Sequence, residues 1–214
     1  MANTPVVLGA RHDLTKSDPR GEVPEEDQLR AQCYWLLARL LACAPDRDFL
    51  DHIARLEGDE TDLGRAIDAL VAAARGAAPS ALEEEYFNLF VGVGHGELVP
   101  YASYYLTGFL HEKPLANLRL DMSRLGISRA VGVVEPEDNI ASLCEMMAGM
   151  IMGEFGEPVD LPVQRAFFDR HVGSWAPRFF EDLEAARNAA FYMPVGTIGR
   201  LFMAVESEAF KMAA

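Results

Sequence analysis

Apolar residues recur three and four positions apart along most of the chain, and proline or glycine closes off each such stretch. Leu29, Cys33, Leu36, Leu37, Leu40 and Leu41 mark the first. A period near 3.6 residues puts these side chains on one face of a helix. Pro24 suits a first helical turn, Glu25, Glu26 and Asp27 suit the positive end of its dipole, and Ala44-Pro45 stops it. The same reasoning predicts a short helix capped by Asp46 with Phe49, Ile53 and Leu56 inward, and another started by Thr61. A Ser80/Glu83 capping box after Pro79 opens a helix carrying Leu82, Tyr86, Leu89 and Phe90. Helices follow over 101–110 and 114–125. Glu135-Pro136 opens one with Ile140, Leu143, Met147, Met150 and Ile151 on its apolar face. Two more carry Val163, Phe167 and His171, then Trp175, Phe179 and Leu183, and Pro194 starts the last. Only Val131 to Val134 reads as extended, and it is too short for a sheet. The predicted fold is all-α: a single-domain helical bundle of about nine to eleven short helices over 24–214. A flexible tail over 1–23, with Pro5, Pro19, Gly21 and no aromatic residue, precedes it.

A chain of 214 residues buries enough surface to fold without a disulfide or metal staple. Its three cysteines, Cys33, Cys43 and Cys144, form no CxxC pair and read as reduced thiols in a cytoplasmic protein. Nineteen Lys and Arg against 33 Asp and Glu give a formal charge of −14. That field opposes phosphate backbones and anionic lipid, so neither nucleic acid nor membrane insertion is expected. The longest uncharged run, Leu98 to His111, contains Pro100 and is shorter than a membrane span. The N-terminus has no basic segment followed by an apolar core, so no secretory signal is read there.

Patterns that carry chemistry are sparse. His95-Gly96-Glu97 and His111-Glu112 do not extend to a zinc motif, so no metal or other cofactor is expected. Gly92-x-Gly94-x-Gly96 follows a helix rather than a strand and ends at Glu97, which fits a helix end and connector better than a phosphate cradle. Glu83-Glu84-Glu85 falls in a helix first turn, where the dipole accounts for it. No nucleophile–base set is recognisable, so no catalytic residue is named.

Two segments ask for more. Pro100-Tyr101-Ala102-Ser103-Tyr104-Tyr105 packs three rigid, polar-tipped rings behind a glycine loop, a composition suited either to a core rim or to a recognition surface. Glu135-Pro136-Glu137-Asp138-Asn139 gathers three carboxylates before a helix bearing Met146, Met147, Met150 and Met152. Capping explains the carboxylates; an acidic contact beside adaptable apolar surface is the alternative.

In this order and separation, the two segments resemble the TorD/DmsD/NarJ-type chaperones that mature redox enzymes. Glu85-Tyr86-Phe87-Asn88-Leu89-Phe90-Val91-Gly92 is similar to that family's aromatic-x-x-Leu-Phe helix end. Pro100-Tyr101-x-Ser103-x-Tyr105 is similar to its proline-aromatic-serine segment, and Glu135-Pro136-x-Asp138 to its Glu-x-x-Asp-His motif. Phe168 through Glu206, with His171, Trp175, Phe179, Leu183 and Phe191-Tyr192, resembles its C-terminal region. Asn139 stands where the family usually has His, so hydrogen bonding survives there and a protonatable group does not.

The resemblance implies a TorD-like fold and a non-enzymatic cytoplasmic chaperone. Its partners would be the catalytic subunit of a molybdenum-containing oxidoreductase and that subunit's twin-arginine signal peptide. Such a chaperone assists cofactor insertion and delays export. Tyr101, Ser103, Tyr104, Tyr105, Glu135, Pro136, Glu137, Asp138 and Asn139 are the implied signal-peptide contacts. Carboxylates would take guanidinium groups, and rings and methionines the apolar stretch. A NarJ-like assembly chaperone for a non-exported nitrate reductase is the alternative within the binding class. A small helical enzyme using the 83–85 or 135–138 carboxylates is the alternative outside it. The connectors at 92–100 and 153–162 leave a monomer and a helix-swapped dimer both open.

Overall fold

A computed structural model describes residues 23–130 and 132–213. The expected tail therefore lies outside the described residues except for Val23, as does Val131 of the extended fragment. Among the described residues ten α-helices follow one another: α1 (Glu25–Ala42), α2 (Arg47–Ile53), α3 (Asp62–Gly76), α4 (Pro79–Tyr86), α5 (Ala102–Thr107), α6 (Lys113–Arg124), α7 (Ile140–Met152), α8 (Leu161–Phe167), α9 (Ala176–Glu184) and α10 (Tyr192–Met212). No strand forms among the described residues. The extended pairing that occurs is a single antiparallel bridge between Tyr101 and Asn139.

The core is built on α7. Of its residues only Glu145 and Met152 are not buried, and it packs along α1. A helix apolar all round is a central helix, enclosed by its neighbours. Met146, Met147 and Met150 are therefore core, and Met152 packs at its edge. This corrects the expectation of a methionine surface for peptide. α10 closes the bundle against α9 and α3. Gly199 makes that approach possible, since a Cβ there would stand 2.1 Å from the Phe180 ring.

Several ends follow local chemistry. Asp46 accepts from the Phe49 N–H at 2.8 Å, and Thr61 from the Gly64 N–H at 3.0 Å, each satisfying an otherwise orphaned helix donor. Others correct the sequence reading. α4 begins at Pro79 with no side-chain cap, because the proline φ already suits the first turn and leaves Ser80 inside the helix. The helix expected over 101–110 spans only Ala102–Thr107 and ends on Gly108, whose φ of +82° breaks the helix. The last helix starts two residues before Pro194.

Two helices end in a wide turn that periodicity did not predict. Gly92 N–H bonds Phe87 C=O, and Gly173 N–H bonds Phe168 C=O, each five residues back at 2.7 Å. After the first, Glu97 N–H and Leu98 N–H bond the carbonyls of Asn88 and Leu89. The glycine loop is thus folded onto its own helix end, and those donors are spent. Gly92 has φ +59°, and a Cβ on it would lie 2.0 Å from the His95 carbonyl oxygen. Only glycine fits there.

Candidate functional site

Residues 100–105 and 135–139 meet in the structure. Ile140 N–H bonds Pro100 C=O at 3.0 Å, and Ala102 N–H bonds Asp138 C=O at 2.9 Å. This pairing corrects the expected start of α7. Glu135 to Asp138 precede the helix as a loop, and Asn139 is the cap, accepting from Ala141 N–H at 2.9 Å. Asparagine accepts that bond well, and the extended pairing holds 138–139 out of helical geometry.

The acidic residues are not equivalent. Asp138 is 1% exposed. One of its oxygens accepts both the backbone N–H of Ser103 at 2.8 Å and the Ser103 hydroxyl, while its other oxygen, also buried, has no partner among the described residues. Glu137 is held by two arginines at once. Arg119 of α6 donates Nε and Nη2 to one oxygen at 3.0 and 2.9 Å. Arg129 donates the same pair to the other at 3.0 and 2.6 Å. Burial acts to raise the Glu137 pKa, but the two guanidinium groups outweigh it and hold it below the usual carboxylate range. Glu135 is half-buried, and its surroundings raise its pKa by desolvation.

The tyrosines divide in the same way. Tyr105 is wedged between Trp175 and Phe179, with ring centroids at 5.3 and 5.9 Å, and gives its hydroxyl to Asp182 at 3.1 Å. Burial and then Asp182 push its pKa upward. Tyr104 is exposed, and beyond it Leu106, Phe109 and Leu110 are exposed as well, Phe109 by 70%. Ser103, Asp138 and Asn139 are buried and Tyr101 is half-buried. Asp182, Arg119 and Arg129 escaped the sequence reading, because no motif or period links them to Tyr105 or Glu137; Trp175 was read as a helix position, but its contact with Tyr105 was not. Phe109 did leave a signal, an aromatic ring near the end of the uncharged run 98–111, although the expected helix included it.

Glu85, from the 83–85 run, and Glu97 serve the fold. Glu85 accepts the N–H groups of Ala190, Phe191 and Tyr192 at 2.8, 3.2 and 2.9 Å, capping α10 from another helix. Glu97 accepts from the Arg187 and Asn188 N–H groups. Burial pushes the Cys33 thiol up to about 11. Among the described residues, no three His, Cys, Asp or Glu converge as metal ligands, and no helix is long and apolar enough to cross a membrane.

The chain is thus an all-helical protein in which the paired Glu137 and Asp138 stand beside exposed aromatic and apolar side chains. The comparisons with known proteins agree with that fold. A family model described as nitrate reductase delta subunit matches residues 56–181. The chain belongs to this family, that of the TorD- and NarJ-type chaperones, whose members are not enzymes. It is 26% identical to the chaperone protein TorD of Vibrio atlanticus over 203 residues, covering 85% of this chain and 94% of that one. TorD of Aliivibrio fischeri is 25% identical over 195 residues, with 81% and 91% covered. A solved structure from Archaeoglobus fulgidus, provisionally described as a redox enzyme maturation protein, shares the fold. Its TM-score is 0.59 at 19% identity, over 88% of this chain and 99% of that one.

Proposed function

We propose that this redox-enzyme maturation chaperone binds the twin-arginine signal peptide and the apo form of a molybdenum-containing oxidoreductase subunit in the cytoplasm, assisting cofactor insertion and delaying export. The observation that carries this reading is the exposed run Tyr104, Leu106, Phe109 and Leu110, contiguous with the buried Ser103–Asp138 frame. A monomeric soluble protein rarely leaves adjacent large apolar side chains in water without a partner for them. Tyr101, Tyr104, Tyr105 and Glu135 are the groups that reach the peptide. Ser103, Pro136, Glu137, Asp138 and Asn139 position them. Glu137 carries little free charge for an incoming arginine, because Arg119 and Arg129 already hold it.

Calorimetry tests the reading with the leader and the apo-subunit of a molybdoenzyme encoded beside this chain. Binding at micromolar levels is expected, and a Tyr104→Ser/Phe109→Ser variant should lose about tenfold or more in affinity with its melting temperature unchanged. Absence of binding to both ligands sinks the proposal. The family model's own description favours a second reading, an assembly chaperone for a nitrate reductase that is not exported. A client whose bound N-terminal peptide lacks the arginine pair would select it.

A further inference from the structure

The negative charge of this chain is unevenly spread. Residues 113–134 carry four basic side chains and one acidic, whereas the rest of the chain carries 15 basic against 32 acidic. The basic stretch is α6 with the loop behind it. Leu115, Leu118 and Met122 form the buried face of α6. Lys113, Leu120 and Arg124, seven and four positions apart, share the opposite face, and all three are exposed.

The carboxylates that meet these cations lie underneath them. Asp121 takes Arg124 at 2.9 Å, Arg170 at 2.6 Å and His171 Nε2 at 2.9 Å. Burial, the largest influence on His171, lowers its pKa, so it adds no charge near neutral pH. Glu137 takes Arg119 and Arg129. Four guanidinium groups thus share two carboxylates, which leaves two positive charges in excess. The carboxylate side chains are 9% and 15% exposed, whereas the arginines are 36% to 72% exposed. The excess therefore faces water. Lys113 extends the row, offset in part by Glu112 before it.

The shape of the row selects among anions. Lys113 and Arg124 stand about 16 Å apart along the helix axis, and Leu120, 59% exposed, lies between them. A compact phosphate is held by donors that converge on it in a concavity. Cations strung along a convex helix, with an apolar side chain among them, match carboxylates strung along another polypeptide.

We infer that the outer face of α6, with Arg170 beside it, docks a partner protein through an acidic amphipathic helix whose carboxylates flank an apolar side chain. Arg124 and Lys113 meet carboxylates about three turns apart, and Leu120 meets the apolar group between them. This partner differs in chemistry from the leader proposed above. A cationic leader is repelled here, so the two ligands take different surfaces.

The test uses the full chain and a fluorescent 18-residue helical peptide of alanine, with two glutamates eleven positions apart and a leucine between them on the same face. Anisotropy should show binding at about 100 μM or tighter. Arg124→Glu should weaken it by about tenfold and Leu120→Ser by several-fold. Both side chains are exposed, so melting temperatures should hold. Lys211→Glu, an equal change of charge on α10, should leave affinity within about twofold, because the row and not the net charge recognises the peptide. The peptide with glutamine for glutamate should not bind. No binding of the acidic peptide, equal weakening by Lys211→Glu, or unchanged affinity in both Arg124→Glu and Leu120→Ser would overturn the assignment. Displacement of the peptide by micromolar inorganic tripolyphosphate, undiminished in Leu120→Ser, would overturn it in favour of a phosphate ligand. The leader should bind Arg124→Glu at least as tightly as wild type, and a parallel loss of leader affinity would refute the separation of the two surfaces. None of these results removes the client reading, which falls only if the natural leader and apo-subunit fail to bind the wild type.

Discussion

Ser103 and Asp138, 35 positions apart, are joined twice through one carboxylate oxygen. The Ser103 backbone N–H reaches it at 2.8 Å, and the hydroxyl bonds the same atom. Both residues are essentially inaccessible to water. This link locks the tyrosine-bearing helix α5 to the N-terminus of the central helix α7. Asp138→Asn keeps the shape but removes the charge that strengthens both bonds, and should cost about 2 kcal/mol. Ser103→Ala leaves the backbone bond and should cost about 1 kcal/mol. Urea denaturation checks both, with a lower midpoint and unchanged slope expected. Leader affinity should fall in parallel, although neither residue can touch a ligand in this conformation.

Glu85 replaces the missing side-chain cap of α10. The helix has none of its own, and Glu85 of α4 accepts the N–H of Tyr192, its first residue, and those of Ala190 and Phe191 just before it. Glu85→Ala should therefore destabilise by about 1–2 kcal/mol, as loss of a cap does. Glu83→Ala and Glu84→Ala, both exposed, should stay within about 0.5 kcal/mol of wild type. Equal effects from all three would contradict the capping role.

Arg30, Tyr34 and Glu206 tie α1 to α10. Arg30 gives Glu206 two bonds at 2.8 and 2.9 Å, and the buried Tyr34 hydroxyl adds a third at 2.9 Å. Burial acts to lower the Arg30 pKa, but the Glu206 bond and charge outweigh it, so the guanidinium stays charged. Removing one partner strands the other, so Glu206→Ala should cost about 3–5 kcal/mol. An Arg30→Met/Glu206→Leu double variant should recover much of that loss. A cycle of thermal melts across these variants measures the coupling.

Glu145 makes stability depend on pH. It faces the rim of the core from α7, one of its oxygens is buried without a partner among the described residues, and burial, then the charge of Glu154, pushes its pKa up to about 8. A carboxyl raised on folding binds more protons folded than unfolded between its ordinary value of 4.5 and 8. Its stabilising effect is present below the lower value and is lost as pH rises through that window. Glu145→Gln should thus melt close to wild type near pH 5 and several degrees higher at pH 8.5 to 9. Equal melting differences at both pH values would show that Glu145 is ionised throughout.

The charge of −14 should speed encounter with a basic leader without selecting it. Stopped-flow association should slow by about tenfold or more between 20 and 300 mM salt, while dissociation changes little. Association rates indifferent to salt would separate net charge from client recognition.

The helical class was legible in the sequence because it depends on local spacing: Leu37 and Leu41 share a helix face whatever else the chain does. Asp46 and Thr61 were legible as caps for the same reason, since each bonds an N–H three residues on. The pairing of 100–105 with 135–139 could be named as two segments but not joined. What joins them is an extended bridge, and its hydrogen bonds cross gaps that no periodicity records. The fate of each carboxylate was likewise a tertiary matter. Glu137 and Asp138 are neighbours in one acidic run, yet one is claimed by arginines from α6 and the loop behind it, and the other by a buried serine. Chemical type and local conformation are properties of neighbouring residues, and the sequence alone determined them. Whether a charge is free to meet a partner depends on which distant donors the packing brings to it, and only the tertiary structure decided that.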